Sequence, residues 1–501
     1  MLDCPESLAA RAPGQVRGAQ RQGRAARGPF RPEVWLNARQ RSAVRLSAHY
    51  FRLIDVLVVI GVTLAAVLAA RPAALGEMTM ADIAPLALGS VSALAALRAF
   101  QLYRFARKTT WILHLAGVAA CGLIAGGAAL LAGLVVGTDD LSLVGAWAAA
   151  VAIGLIGLHG LWLGLIARWR RQGALSPNIV VVGATRNAQA LIEQALERRD
   201  MNVLGVFDDR LARAPQSVAG VPVLGDADAL MTHRIMPYVD RIVLAIDPEA
   251  GQRVRDLMQR LQTLPNPLTV LVDSELGRDG VLNRLANAPL AALDGPADHD
   301  RRAFNKRMQD LLVGGLALIA AAPVMALVAL AVRLDSPGPV FFRQRRHGFN
   351  HESIVVWKFR SMRHAAADAT ASRQVCAHDD RVTRVGRFIR ATSLDELPQI
   401  FNVLSGEMSL VGPRPHAIGM KTGETESALL VAEYAHRCRI KPGMTGWAAI
   451  RGSRGPVDTE AQVRERVQLD IEYVERQSFW LDLWIIAVTI PVLLGDRAAV
   501  R

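Results

Sequence analysis

The chain has 501 residues, of which 51% are hydrophobic and only 5% are aromatic, and it carries a formal net charge of +13. That length exceeds one ordinary hydrophobic core and predicts several units, while the excess of aliphatic residues is typical of a membrane protein. The charge alone would suit nucleic acid, but the sequence has no zinc-finger or RNA-binding signature and its basic residues lie beside apolar segments, so we expect anionic lipid headgroups and no nucleic acid as the partner.

The first 49 residues contain nine arginines and no apolar run ahead of a small-residue cleavage site. This pattern predicts an Arg-rich, flexible cytosolic arm over 1–49 rather than a signal peptide. A helix needs about 20 apolar residues to cross the hydrocarbon layer of a membrane. The alternative for such segments, buried helices of a soluble protein, conflicts with their lack of a polar face. Four segments predict a transmembrane region over 50–170, with spans at 51–70, 82–100, 111–137 and 141–167.

The charges between the spans predict their direction, because cationic loops tend to stay on the cytoplasmic side. The arm, the loop at Arg104 and the exit at Arg170 are basic, whereas the turns near Glu77 and Asp140 are acidic. The four spans are therefore expected to begin and end in the cytoplasm. Everything after residue 168 would begin there too.

The next region, 178–293, alternates between apolar strand patterns and helix patterns. Ile179–Val182, Val203–Phe207 and Arg241–Ile246 have the pattern of buried strands, and Ala188–Leu196 that of a helix between the first two. This order predicts an α/β Rossmann-like cytosolic domain with a parallel sheet.

The turn after the first of these strands, GATRNA, matches a dinucleotide-binding fingerprint only in part. Thr185 and Ala188 occupy its second and third glycine positions. A Cβ at the second position obstructs the approach of a pyrophosphate to the backbone. The sequence therefore favours a structural or regulatory, CoA-binding-like domain over an NAD-dependent one.

A fifth apolar segment, Leu311–Val332, is interrupted by Pro323. Proline removes a helical hydrogen bond, so the segment divides into halves of roughly 18 Å and 13 Å, and neither would span the bilayer alone. Cations flank both ends, with Lys306 and Arg307 before the segment and several arginines after it, so both ends are expected on the same side. We predict a re-entrant membrane helix over 308–333 that kinks at the proline. A fully spanning, kinked helix is the alternative.

The run SIVVWKFRSM, Ser353–Met362, has the alternation of a β-strand. That alternation places Lys358 and Arg360 on one face, about 6.6 Å apart. The spacing suits the two phosphates of a diphosphate. A solvated edge strand is the alternative.

The run DRVTRVGRFIR, Asp380–Arg390, has the composition of an amphipathic helix, with Val385, Phe388 and Ile389 on one apolar stripe. Such a helix can lie on anionic headgroups, and a solvated face over a soluble core is the alternative. The candidate lipid-surface contacts are Arg384, Arg387 and Arg390.

The stretch TSLDELPQIFNVLSGEMSLVGPRP, Thr392–Pro415, contains two adjacent carboxylates, Asp395 and Glu396. Ser393 followed by Glu396 matches a capping box, so the start of a helix is one explanation of the pair. Pro398 suits the first position of a helix, whose N-terminus favours an ionised carboxylate nearby. Chemistry is the other explanation.

The same stretch ends in GPRP, where Arg414 lies between Pro413 and Pro415. Both prolines have nearly fixed φ, and a guanidinium presented in this way suits bidentate contact with a phosphate or a nucleobase edge. A plain turn is the alternative.

Residues 303–501 resemble the bacterial polyprenyl-phosphate hexose-1-phosphate transferases, a family of monotopic phosphoglycosyl transferases. The motifs that carry the resemblance are SPGPVFFRQRRHG (Ser336–Gly348), KFRSM (Lys358–Met362), the stretch Thr392–Pro415 and KPGMTGWA (Lys441–Ala448). The order of units is similar to the long form of the family, such as undecaprenyl-phosphate glucose or galactose phosphotransferases. It implies a multidomain membrane protein with four N-terminal transmembrane helices, an α/β Rossmann-like domain, and a mostly α C-terminal catalytic domain that contains the re-entrant helix.

The resemblance also implies a reaction. Asp395 would be the nucleophile, and Glu396 its partner in proton handling or in binding Mg²⁺, the expected cofactor. Hexose-1-phosphate would pass from a UDP-hexose to undecaprenyl phosphate through a covalent aspartyl-phosphosugar, with release of UMP, as the first step of exopolysaccharide, O-antigen or capsule synthesis. The residues expected to bind substrate are Lys358, Arg360, Arg414, Pro413, Pro415, Arg346 and Gln344.

By the same resemblance we expect the bacterial inner membrane as the location, with the catalytic domain on the cytoplasmic face, and the family is compatible with a homodimer. No residue identifies the sugar. Two other functions stay open at the level of the sequence. One is a nucleotide-sugar oxidoreductase or dehydratase based on the Rossmann-like domain, and the other is a non-enzymatic membrane scaffold of a polysaccharide assembly complex.

Overall fold

A computed structural model of the chain describes residues 38–70, 80–105, 110–138, 140–198, 201–210, 213–245, 256–258, 260–261, 264–271, 297–363, 381–422, 425–427, 430–453, 455, 457 and 459–495. Most of the predicted arm (1–37), the acidic turn near Glu77 and the last part of the predicted middle domain (272–293) lie outside the described residues.

The N-terminal part of the chain is helical, with one short helix followed by four long apolar ones. Their bounds are Ala38–Arg45 (α1), Ser47–Ala70 (α2), Met80–Ala99 (α3), Trp111–Val136 (α4) and Leu141–Arg171 (α5). The four long helices overlap the four predicted spans, and each is long and apolar enough to cross a membrane. They form a bundle that buries Trp147 (1% exposed) and turns Val135 (86% exposed) outward. An apolar outer surface of this kind suits lipid as the solvent.

The middle region folds as a mostly parallel sheet with helices. Its elements are Asn178–Val182 (β1), Arg186–Arg198 (α6), Asn202–Phe207 (β2), Ser217–Val218 (β3), Val221–Gly225 (β4), Ala227–Thr232 (α7), the 3₁₀ helix Met236–Tyr238, Arg241–Leu244 (β5) and Leu268–Val270 (β6). The strand order is β3-β4-β2-β1-β5-β6, and only the β3–β4 pair is antiparallel. Apolar side chains pack on both faces, so β1 is buried along its length. The predicted strands and helix are confirmed, except that Ile246 lies outside the described residues.

The C-terminal region is mostly helical, as predicted, with three small pairs of strands. Its elements are Ala297–Asp335 (α8), Phe341–His347 (β7), the 3₁₀ helix Phe349–His351, Ser353–Phe359 (β8), Arg384–Ala391 (α9), the 3₁₀ helix Leu394–Glu396, Gln399–Leu404 (α10), Ser409–Val411 (β9), Lys421–Thr422 (β10), Thr425–Glu426 (β11), the 3₁₀ helix Ala432–Arg439, Gly443–Thr445 (β12), Trp447–Ile450 (α11), Glu460–Arg476 (α12) and Phe479–Gly495 (α13). Strands β7 and β8 form an antiparallel hairpin, and β9 pairs in parallel with β12. Their shared core includes Val356, Val411 and Tyr473.

Helix α8 has 39 residues and contains Pro323. The sequence predicted a kinked helix here, and the structure keeps the residues on both sides of the proline in one helix that starts earlier than expected. In the first half of α8, Asp310 accepts a hydrogen bond from the Ser409 hydroxyl at 2.9 Å. At its last residue, Asp335 accepts one from the backbone N–H of Val385 at 3.2 Å. Residues on both sides of Pro323 therefore contact the rest of the C-terminal region.

The three regions meet beside the loop that precedes β5. Asn350, in the turn of the β7–β8 hairpin, donates its side-chain amide to the carbonyl oxygens of Met236 and Val239, each at 3.1 Å. Its φ of 51° is left-handed, a conformation that asparagine tolerates. From α1, Arg41 forms an ion pair with Asp240 at 3.0 Å. The middle domain is thus attached to the C-terminal region at the turn of the hairpin.

Candidate active site

The two adjacent carboxylates lie in the 3₁₀ helix Leu394–Glu396, which follows a left-handed residue, Ser393 (φ 57°). Ser393 makes no side-chain cap to this helix, and the Glu396 carboxylate binds cations from other elements, so the capping explanation of the pair is wrong. Pro398, with φ −61°, then precedes α10. Asp395 is only 8% exposed, so neighbouring groups more than water decide its charge.

Two cations hold Glu396. The Lys358 ammonium, near the end of β8, donates to Glu396 Oε1 at 2.8 Å. The Arg414 guanidinium donates to Oε1 at 2.6 Å and to Oε2 at 3.3 Å. The hairpin and the GPRP turn thereby converge on one carboxylate and bring Lys358 and Arg414 together.

The two carboxyl groups differ in their preference for a proton. Burial raises the pKa of Asp395 to about 6, a shift that Lys358 opposes and the charge of Glu396 reinforces. Burial would also raise the pKa of Glu396, but the charges of Arg414 and Lys358 outweigh it and hold that pKa well below its usual range. Glu396 is therefore a fixed anion, whereas Asp395 is an unusually basic aspartate. Adjacent acids with separated pKa values suit different roles.

The GPRP turn is fixed on both sides of Arg414. The Pro413 carbonyl accepts a hydrogen bond from the N–H of Gly443 at 2.9 Å. The Arg414 carbonyl accepts one from the Arg437 guanidinium at 2.6 Å. Gly412 and Gly443 pass so close that a Cβ built on Gly443 would lie 2.1 Å from the Gly412 nitrogen. The turn therefore requires glycine in the KPG segment as well as its own prolines.

A second buried arginine supports the same turn. Arg346, on β7, donates to the Pro415 carbonyl at 2.6 Å and to the side-chain oxygen of Gln344 at 2.8 and 3.1 Å. Burial and the nearby charge of Arg414 lower the pKa of Arg346 to about 10. Gln344 thus contacts Arg346, and Pro415 contributes its backbone oxygen.

The structure does not place Arg360 with the carboxylates. Strand β8 ends at Phe359, so the alternation that put Arg360 beside Lys358 does not continue. Its guanidinium instead donates to the carbonyl oxygens of Val332, Ser336 and Pro337, at the C-terminal end of α8. The predicted placement of Arg360 on one face with Lys358 is therefore wrong, because its guanidinium is bound to these backbone carbonyls.

Helix α9 differs in part from the predicted amphipathic helix. Ile389 is buried, but Phe388 is 61% exposed and does not share its stripe. Arg384 and Arg387 are exposed beside Phe388, and Arg390 is partly exposed. An exposed aromatic ring among arginines suits a headgroup surface, so these arginines stay candidate lipid contacts.

The sequence reasoning missed a buried polar network behind Arg414. Arg437 pairs with Asp470 at 2.7 Å, and both are less than 5% exposed. His416 contacts the Tyr434 hydroxyl at 2.5 Å, and burial with the charge of Arg437 holds its pKa well below the usual value. The sequence offered a weak signal, since Arg437 stands four positions before the KPG motif. Nothing in the pattern showed that it is buried.

The predicted Mg²⁺ site would have few protein ligands. Among the residues that the structure describes, no group of three or more His, Cys, Asp or Glu side chains could hold a metal ion. Mg²⁺ needs less, because it is usually bound through one or two carboxylates together with substrate phosphates. Asp395 and Glu396 supply such carboxylates next to the cations Lys358 and Arg414, so this donor set fits Mg²⁺ together with a diphosphate.

The residues at the incomplete dinucleotide fingerprint are hydrogen-bonded or buried within the middle domain itself. Asp208 follows β2, at the position where the acidic residue of a Rossmann domain binds ribose. Its carboxylate accepts hydrogen bonds from the backbone N–H groups of Ala184 and Arg210, each at 2.7 Å. Thr185 donates to the Ala245 carbonyl at 2.7 Å. Ala188 is fully buried. The residues of the damaged fingerprint thus bind the protein itself, which disfavours the oxidoreductase alternative.

Comparisons with known proteins agree with a separate middle domain and C-terminal region. A family described as bacterial sugar transferase matches residues 301–496, and one described as CoA-binding domain matches residues 96–270. The second match begins in the membrane bundle, earlier than the predicted middle domain.

Individual relatives match most of the chain or a smaller share of it. The UDP-glucose:undecaprenyl-phosphate glucose-1-phosphate transferase of Xanthomonas campestris pv. campestris is 37% identical over 71% of this chain and 74% of its own length. The protein of that name from Escherichia coli (strain K12) is 34% identical over 74% and 79%. The exopolysaccharide production protein PSS of Rhizobium leguminosarum bv. phaseoli is 48% identical over 37% of this chain but 92% of its own length.

Proposed function

The chain belongs to the bacterial sugar transferase family, and we propose that it transfers hexose-1-phosphate from a UDP-sugar to undecaprenyl phosphate with release of UMP. This reaction initiates the synthesis of an exopolysaccharide. The observation that carries the proposal is the pair of adjacent carboxylates, in which Glu396 is held as an anion by Lys358 and Arg414 while Asp395 is buried and basic beside it. UDP-glucose is the donor to test first, since relatives that match most of the chain are named for it.

The reaction proceeds in two displacements at one phosphorus. A carboxylate oxygen of Asp395 forms a bond with the β-phosphorus of the UDP-sugar, and the bond from that phosphorus to UMP breaks. An oxygen of undecaprenyl phosphate then attacks the same phosphorus, and the Asp395 oxygen leaves as a carboxylate. A covalent intermediate divides one difficult transfer into two easier steps. A pKa of about 6 leaves Asp395 ionised near neutral pH and more basic than an exposed aspartate.

The surrounding cations suit the charge of the substrate. Lys358 and Arg414 face the carboxylates and would hold the diphosphate, with Arg346 behind them. Glu396 and the diphosphate oxygens would hold Mg²⁺, which would neutralise charge at the reacting phosphorus. Each of these groups comes from a different element, so the site requires the folded hairpin and the GPRP turn together.

The contacts of α8 support a re-entrant arrangement at the cytoplasmic face of the inner membrane. A straight helix from residue 306 to residue 335 would extend roughly 44 Å, more than the hydrocarbon layer. Yet Lys306 binds Asp482 at 2.7 Å near one end, while Arg360 binds the Val332 carbonyl near the other. Both partners belong to the region that holds the carboxylates, so both ends lie on one side. The side chains left for lipid are Leu312, Leu316, Ile319, Leu327, Leu330 and Leu334, each more than half exposed.

The remaining helices complete the membrane arrangement. We assign α2, α3, α4 and α5 as four spans that return the chain to the cytoplasm before the middle domain. The last turn of α5 carries Arg168, Arg170 and Arg171, which is the cationic exit expected on the cytoplasmic side. A soluble nucleotide sugar and a lipid phosphate can then meet at the site.

The test is UMP release from UDP-glucose by the full-length protein with undecaprenyl phosphate and Mg²⁺, together with trapping of the radiolabelled phosphosugar on the protein. Asp395→Asn should abolish both UMP release and the trapped adduct. Glu396→Gln should lower both by at least about 100-fold, the scale of losing a positioned acid or metal ligand. Glu475→Gln, an exposed carboxylate of α12, is the matched control and should behave as wild type. A labelled adduct on the Asp395→Asn protein would refute the proposal.

A further inference from the structure

A cluster of polar side chains lies inside the membrane bundle, in a part of the protein that the transfer reaction does not use. Asp55 on α2 and His159 on α5 are both 0% exposed, and His114 on α4 is 4% exposed. His159 Nε2 lies 3.1 Å from Asp55 Oδ2, and its Nδ1 lies 2.9 Å from His114 Nε2. Tyr103 and Trp162 donate to the Asp55 carboxylate at 2.7 and 3.3 Å. Ionisable groups at such positions are rare and usually functional.

The cluster lies toward one end of the bundle. Asp55 is roughly 12 Å along α2 from Ser47, and His114 is in the first turn of α4. His159 is roughly 18 Å before the end of α5, at Arg171. These three helix ends are the cation-flanked ones. The cluster therefore lies inside the bundle, close to the end where the cations are.

Ionised Asp55, buried in the bundle, requires a positive charge nearby. Its carboxylate accepts from three donors, and an ionised carboxylate in an apolar bundle is costly unless a cation compensates it. The Arg52 guanidinium lies over the Tyr103 ring at 5.0 Å. His159 makes the direct contact with Asp55 and can supply the charge if it gains a proton.

The two imidazoles can hold or lose that proton without breaking a hydrogen bond. With one excess proton, His159 donates to Asp55 from Nε2 and to His114 from Nδ1. Without it, His159 still donates to Asp55, and His114 donates from Nε2 to His159 Nδ1. The pair is therefore built to exchange a proton, and its protonated form balances the charge of an ionised Asp55.

Other ionisable groups lie around the cluster. Arg52 is the nearby cation of α2, and Arg98 and Arg104 lie near Arg52 from the end of α3 and the segment after it. Cys121 of α4 lies near Tyr103. On α5, Arg170 donates to the carbonyl of Phe105, at the rim of the bundle.

We propose that Asp55, His159 and His114 form a proton-binding site in the membrane bundle. The bound proton is shared by the two imidazoles and neutralises Asp55. The hydrogen bonds of the site link α2, α4 and α5 with the connection that carries Tyr103. The site goes beyond the transfer reaction, because no residue of the cluster belongs to the candidate active site.

The stability of the bundle then depends on pH in a defined direction. The protonated form is the charge-balanced one, so its stabilisation is complete at low pH and is lost as rising pH removes the proton. One proton corresponds to a fall of about 3 °C in thermal midpoint per pH unit in the range where the proton is lost. Asp55→Asn removes the charge that needs the proton, so its thermal midpoint should lack this fall.

The experiment measures the thermal midpoint of the full-length protein in lipid nanodiscs from pH 6 to pH 10. Wild type should lose about 3 °C per pH unit relative to Asp55→Asn over part of this range. The paired change Asp55→Asn with His159→Gln keeps a neutral hydrogen-bonded network and should match Asp55→Asn if the single variant folds poorly.

Tyr103→Phe is the matched control, since it removes one donor to Asp55 and leaves the proton balance unchanged. It should lower the midpoint equally at every pH and keep the wild-type slope. Parallel profiles for wild type, Tyr103→Phe and Asp55→Asn would overturn the proposal and leave a purely structural cluster. Trapping of the phosphosugar adduct in each variant reports separately on the transfer reaction and should be unchanged.

Discussion

Replacement of Asp395 by asparagine is expected to stabilise the protein at neutral pH while it removes the nucleophile. Burial raises the pKa of this carboxyl from 3.8 to about 6, against the opposing charge of Lys358 and with the charge of Glu396. A group whose pKa is higher in the folded chain than in the unfolded chain prefers to be protonated there. Ionisation of Asp395 therefore costs folding free energy, and a neutral side chain of the same shape avoids that cost.

The size of the effect follows from the shift. A difference of about 2 pKa units at 1.36 kcal/mol per unit corresponds to a cost on the order of 3 kcal/mol. Below pH 3.8 the carboxyl is protonated in both states, so the cost is absent. It grows as pH rises from 3.8 to about 6 and is constant above that value. For a domain of this size the thermal midpoint of Asp395→Asn should rise by roughly 6–12 °C at pH 8, and by about half as much at pH 5.

The assay is calorimetric unfolding of the full-length protein in nanodiscs at pH 5 and pH 8, with Glu475→Gln as the control. The neighbouring substitution Glu396→Gln should have the opposite sign, because it leaves Lys358 and Arg414 partly buried without their counter-charge. Its midpoint should fall at pH 8. If Asp395→Asn is less stable than wild type at pH 8, or if its gain is the same at both pH values, the argument from burial is wrong.

Three further outcomes are expected at the same site. The rate of phosphosugar adduct formation should fall about tenfold per pH unit below about pH 6, since Asp395 must be ionised to attack, and a rate that is flat to pH 5 would contradict this. Arg414→Lys should lower kcat/KM by at least about tenfold, because an ammonium cannot make the forked contact with Glu396, and steady-state UMP release measures it. Gly443→Ala should lower the thermal midpoint and abolish UMP release, because the new Cβ would meet the backbone, whereas Gly455→Ala, with nothing within 4 Å, should not.

The sequence predicted well what depends on local pattern. The long apolar helices and the strands of the middle domain are each specified by their own periodicity. The pair Asp395 and Glu396 was found through a motif. Its capping explanation failed because Ser393 is left-handed and because charged partners from distant elements bind Glu396 more strongly than a helix end could.

What the sequence could not predict depends on distant contacts. Arg360 was assigned to the phosphates by extending an alternation past the last residue of β8, where the chain turns toward α8. Leu397 is helical (φ −53°, ψ −37°) although the following proline disfavours that conformation. Asp55 and His159 were overlooked, since a hydropathy window of about 20 residues averages a single charge away. Asp55 and His159, which contact each other, are more than 100 positions apart in the chain.

The attachment of the middle domain leaves the chemistry to the C-terminal region. Asn350 binds the middle domain at the turn of the β7–β8 hairpin, and Lys358 stands roughly 17 Å farther along β8, counted from Ser353. The groups described around Asp395 and Glu396 all come from β7, β8 and the segments after them, so none is supplied by the bundle or by the sheet of the middle domain. The Rhizobium relative matches 37% of this chain over 92% of its own length. The bundle and the middle domain therefore supply none of the groups described around the two carboxylates, and the buried charges of the bundle have no part in the proposed sugar-phosphate transfer.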